Sequence, residues 1–106
     1  MRRSNAITDE FIDRVSRLNR LEGAVGLKFG FDLCLVEAIR VVASSREAWS
    51  DDPRGFISNV VLDLCESLYR TGRMSYSDAG DLFSKVRMEV LNRIGTRVLV
   101  EQARLR

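Results

Sequence analysis

The chain contains no histidine, so the commonest general base and the commonest transition-metal ligand are missing together. Neither a Ser-His-Asp nor a Cys-His arrangement can be assembled. The two cysteines, Cys34 and Cys65, lie in apolar runs, Leu33-Cys34-Leu35 and Leu64-Cys65. Their wide separation makes no zinc or dithiol motif. Each is expected to be a small buried hydrophobe, unbridged, as suits a reducing, intracellular compartment. The carboxylates fall where helices begin. Asp9, Glu10 and Asp13 occupy one first turn, and Asp78 and Asp81 another, where acids stabilise the helix dipole. Asp51-Asp52 reads as a cap, and neither an EF-hand spacing nor a phosphate-binding glycine loop is present. The residues therefore predict a non-enzymatic chain, with no catalytic residue, metal site, cofactor or small-molecule substrate.

The arginines are the other residues with chemical potential. Fifteen arginines stand against two lysines, Lys28 and Lys85. An anionic partner would explain the bias, because guanidinium groups bind phosphate and carboxylate through two parallel hydrogen bonds. A GC-rich coding sequence would explain it as well. Arg14, Arg17 and Arg20 lie toward the end of the first expected helix, and Arg93, Arg97, Arg104 and Arg106 toward the end of the last. Arg93, Arg97 and Arg104 fall within about 40° on a helical wheel, a stripe able to track a phosphate backbone.

Other features oppose that use. Glu10 with Arg14, Asp13 with Arg17, Glu89 with Arg93 and Arg97 with Glu101 are all i,i+4 pairs. A net charge of +2 creates no strong positive field. If the first and last helices run antiparallel, the late arginines approach Asp9, Glu10 and Asp13 and complement them. Phosphate contact through Arg14, Arg17, Arg20, Arg93, Arg97 and Arg104 is therefore the alternative expectation. A helix-turn-helix at Thr71-Gly72-Arg73-Met74 is permitted. The flanking helices are about twice too long for that motif, and Asp78 and Asp81 would face the phosphates.

The elements that position these residues are helical. One proline and seven glycines in 106 residues leave few breaks, and 45% hydrophobic with 30% charged residues is ordinary for one globular domain. Such a chain buries roughly two thirds of its unfolded surface, enough for a single core. The first helix is expected over 9–22, capped by Thr8, with Phe11, Ile12, Val15, Leu18 and Leu21 on its apolar stripe and Gly23 as its stop. The second spans 24–44 and is apolar nearly all round, which requires burial on more than one side or contact with another chain. Its four charges, Lys28, Asp32, Glu37 and Arg40, argue against a membrane span. Gly26 and Gly30 either allow close backbone approach or mark an unwound entry before Asp32, and the second is expected.

Asp52-Pro53 starts a third helix over 53–71, with Phe56, Ile57, Val60, Val61, Leu64 and Leu68 on one face. Thr71-Gly72 ends it. Ser75 caps a fourth over 76–104, whose stripe is Ala79, Phe83, Val86, Val90, Ile94 and Val98. The short turn between the last two predicts an antiparallel hairpin.

The expected architecture is a single all-α domain over 1–106, a four-helix up-down bundle with a long C-terminal helix. Val98, Leu99, Val100 and Leu105 on the overhang are too apolar to remain in water, so self-association is expected. Trp49 in the second connection is either a lid on the bundle or a partner anchor. Tyr69 and Tyr76 flank the last turn and suit local packing. The N-terminus, Met1-Arg2-Arg3-Ser4-Asn5, does not read as a secretory signal. Together these features predict a cytoplasmic, homodimeric protein-interaction module of the adaptor, regulator or viral accessory type. Its interface would include Trp49, Val98, Leu99 and Leu105, and its partners would be itself and a second protein.

Overall fold

Asp52 and Pro53 begin a helix for reasons visible in single atoms. The Asp52 carboxylate accepts the Gly55 N–H at 3.0 Å, and Pro53, which has no N–H to satisfy, takes the first helical position. The computed structural model describes the backbone of residues 9–45 and 52–104, and side chains within those ranges as far as Ile94. Its elements are α1 (Asp9–Ser16), α2 (Gly23–Ala43), α3 (Pro53–Arg70) and α4 (Tyr76–Arg104). Among the described residues there is no strand. Thr8 and the second connection from residue 46 to 51 lie outside them.

The α3–α4 junction follows its residues closely. Gly72 adopts φ +73°, the left-handed conformation that glycine reaches without penalty. This lets the Arg73 N–H reach the Leu68 carbonyl at 2.8 Å and the Gly72 N–H reach Tyr69 at 3.0 Å, the paired bonds of a Schellman ending. Ser75 Oγ then accepts the Asp78 N–H at 3.1 Å to start α4. Tyr69 and Tyr76 meet edge to face across the turn, with centroids 5.3 Å apart. One groove is lined from Tyr69 back to Leu62 and from Tyr76 on to Phe83, so α4 runs back along α3.

The core is made mainly by α2, α3 and α4, each in contact with the other two. Ile57, Val60, Val61, Leu64, Cys65 and Leu68 of α3 are buried, against Cys34, Leu35, Ala38, Val41 and Val42 of α2 and Leu82, Val86, Val90 and Ile94 of α4. Two expected stripe residues sit at its edge. Phe56 and Phe83 are only half-buried, and Leu82 takes the buried place beside Phe83. At 29 residues, α4 is about 43 Å long. It accounts for most of the molecule's 47 Å longest dimension.

The N-terminal third departs from expectation. Helix α1 stops at Ser16, not at 22. Its last turn tightens through the Arg17 N–H to Arg14 and Leu18 N–H to Val15 bonds, and the next residues are not helical. Arg73 supplies the reason. Its guanidinium Nη1 donates to the carbonyls of Ser16 (3.3 Å) and Leu18, and its own carbonyl accepts the Leu21 N–H at 2.6 Å. Backbone groups that a longer α1 would have bonded internally are satisfied by the α3–α4 turn. Leu21 is thereby buried apart from the stripe formed by Phe11 and Val15. Gly23 does adopt positive φ (+67°), but it enters α2 rather than closing α1.

Two further expectations are corrected. Helix α2 is continuous through Gly26 and Gly30. Gly30 is a close-approach site: a Cβ there would lie 3.2 Å from Met74 Cε and 3.4 Å from Leu21 Cδ1. Helix α1 contacts α3 and, among the described residues, not α4. With eight residues, α1 is only about 12 Å long.

Replacing Arg73 with methionine keeps the stem and removes the guanidinium. The expected loss is about 1–2 kcal/mol, seen as a lower urea midpoint at unchanged m-value. An unchanged midpoint would mean that water serves the Ser16 and Leu18 carbonyls equally well.

Candidate interaction surface

Three sides of α2 have different fates. Two are covered by α3 and α4, as its buried residues show. The third carries Val25, Phe29 and Val36, which remain 85%, 47% and 67% exposed. Asp32, Arg40 and Ala43 share this outward side, with Leu33 and Ile39 half-buried at its margins. A scattered exposed leucine or valine is unremarkable on a protein surface, whereas several on one helical face mark a contact region. Arg14 of α1 reaches this side, and together with Phe29, Asp32, Leu33, Val36 and Glu37 it lines a shallow cleft of about 240 Å³.

The polar residues on this face are already organised. Lys28 Nζ lies 2.8 Å from Asp32 Oδ1, and Arg40 holds Glu37 through two guanidinium nitrogens, at 2.6 and 3.1 Å. The hydrogen bond to Glu37, with its charge, raises the pKa of Arg40 above its ordinary value. The exposed Lys28–Asp32 pair contributes little to stability, about 0–1 kcal/mol. The two pairs do determine where charge stands along the face.

Grooves also run between the helices among the described residues. The one between α3 and α4 has a volume of about 230 Å³, with Ala79, Gly80 and Phe83 along its α4 wall. A larger groove of about 430 Å³ lies between α2 and α4 over Leu27, Phe31 and Leu82. Lys28 of α2 and Lys85 of α4, the only lysines of the chain, both border it, as do Asp78 and Asp81 of α4. The mixed charges give that groove no net preference for an anion.

The structure separates the arginines considered for phosphate contact. Arg17 pairs with Asp13 at 2.7 Å, Arg20 with Glu22 at 2.5 Å and Arg93 with Glu89 at 2.5 Å. Arg14 faces the α2 cleft. Arg97 and Arg104 belong to α4, but their side chains lie outside the described residues, as do those of Val98 and Leu99. Trp49 and Leu105 are outside the described residues altogether. The sequence alone does not distinguish the outward face of α2 residue by residue. Its signal was a helix too apolar for one buried side.

Among the described residues no cluster of three or more histidine, cysteine or acidic side chains could hold a metal ion. No helix among them is long and apolar enough to cross a membrane. Cys34 and Cys65 are free and buried, and they meet across the α2–α3 contact. The hydrogen bond with Cys65 pushes the Cys34 thiol well above its ordinary pKa, and burial adds to the shift. A thiol held neutral in this way is a poor nucleophile.

A raised folded-state pKa means that the unfolded chain loses this proton first. Stability from Cys34 is thus complete below the unfolded thiol value of about 8.5, and it declines as the pH rises beyond it. Urea midpoints measured at pH 7 and pH 10 should show a fall that is reduced in Cys34→Ala. An equal fall in both proteins would remove Cys34 as its source. No protein-family model, no curated protein and no solved structure matches the chain.

Proposed function

We propose that the chain is a small, non-enzymatic helical interaction module, of the adaptor, regulator or viral accessory type, that works as a homodimer. The supporting observation is the outward face of α2. Phe29 and Val36 stay in water although the same helix supplies six buried residues to the core. An isologous contact between two copies uses one patch twice and is the commonest route to a soluble oligomer. In this reading α2, α3 and α4 form an up-down arrangement in the cytoplasm. Val98, Leu99 and Leu105 of the C-terminal end, with Trp49, would extend the contact to the partner copy or to a second protein.

Binding of nucleic acid through the arginines is less favoured, because Arg17, Arg20 and Arg93 each already face a carboxylate. Light scattering across a dilution series tests the main reading. A mass of two chains at the concentrated end is expected, and one chain throughout would overturn it. Duplex RNA added to the same protein should produce no salt-sensitive complex. A complex lost in Arg93→Ala/Arg97→Ala would instead favour the phosphate reading.

A further inference from the structure

Resting on the homodimer reading, we infer that two copies associate through α2 packed antiparallel on itself, with Val36 on the twofold axis. Val25, Phe29, Asp32, Arg40 and Ala43 each fall within about 40° of Val36 around the helix, and all six residues of this stripe are exposed. The stripe is complementary to its own reverse. In an antiparallel pair centred on Val36, a residue some steps before it meets the residue the same number of steps after it on the partner.

Phe29 then meets the partner's Ala43, a large side chain over a small one, and Val36 meets itself. Asp32 comes level with the partner's Arg40, and Arg40 with the partner's Asp32. Both side chains are about half-exposed in the single chain, 54% and 55%, so each is open to the partner from its present pair. Each also keeps its present neighbour, which builds a Lys28–Asp32 to Arg40–Glu37 network on either side of the axis.

Charge decides between the two directions. A parallel, in-register pair would set Asp32 against Asp32 and Arg40 against Arg40 along the same apolar seam, where like charges are destabilising. It would also place Phe29 on Phe29 and leave Ala43 facing only Ala43. The antiparallel arrangement removes both conflicts at once. Helix α2 is about 31 Å long. A single-helix seam of that length falls short of the roughly 800 Å² per partner of a standard interface, so the dimer should dissociate on dilution.

The test uses the full chain with single cysteines placed on the seam and mild oxidation by glutathione disulfide. Cys34 and Cys65 are 0% and 2% exposed and do not compete. In Val36→Cys the two new thiols face each other at the axis, and a covalent dimer should form. In Val25→Cys they stand roughly 33 Å apart along the seam, far beyond disulfide reach, and the chain should stay uncrosslinked. Charge reversal provides a second readout. Asp32→Arg alone should shift the scattering mass toward one chain, and Asp32→Arg/Arg40→Asp should restore two.

Crosslinking of both cysteine variants would indicate a parallel seam and overturn the inference. A wild-type dimer that neither crosslinks at Val36 nor responds to Asp32→Arg would also overturn it, while leaving the homodimer reading intact. A wild-type chain that is monomeric at every concentration removes both.

Discussion

The N-terminal half is organised around the seat of Leu21 on α2, where a Cβ at Gly26 would lie 2.9 Å from the Leu21 backbone and Gly30 faces three side chains. The missing side chain allows Leu21, Met74 and Leu82 to converge on α2. Those residues come from the α1–α2 connection, the α3–α4 turn and α4. Arg73, one residue before Met74, secures the same junction with its carbonyl and guanidinium. Because the turn at Gly72 is closed by its own Schellman bonds, Arg73 and Met74 are presented in one orientation. The short α1, the non-helical Arg17–Glu22 segment and the inserted Leu21 all follow. A longer α1 would have to give up these bonds and the Leu21 contact together.

Burying α2 from two sides leaves its third side to water. Helices α3 and α4 form a hairpin with one groove between them, and α2 lies against both. A hairpin can cover only part of a helix circumference, and α1 is too short to cover the remainder. The exposed stripe at Val25, Phe29 and Val36 is therefore a geometric consequence of a three-helix core with an abbreviated fourth element. The proposed interface on this face would reconcile an apolar composition with an incomplete cover.

Local chemistry was legible in the residues wherever a structural feature depends on near neighbours. Asp52-Pro53, Gly72 and Ser75 act within four positions of themselves, and each does what its side chain or backbone freedom implies. The buried faces of α3 and α4 were legible from their 3.6-residue spacing, with Leu82 replacing Phe83 in the buried row. The end of α1 was not, because its carbonyls are bonded by Arg73, more than fifty positions away. The role of Gly30 is hidden in the sequence for the same reason. Its role is defined by Leu21 and Met74, and no local pattern distinguishes a glycine that admits a neighbour from one that unwinds a helix. For the surface, the apolar second helix suggested a partner, but only the packing showed which of its sides is left open.

The most direct measurement is a set of two-dimensional amide spectra recorded over a concentration series. Association through the outward side of α2 predicts shift changes concentrated around Val25, Phe29, Asp32, Val36, Arg40 and Ala43, with the α3–α4 groove near Tyr69 and Tyr76 unchanged. Changes gathered on that groove, or none from dilute to concentrated protein, would contradict the account.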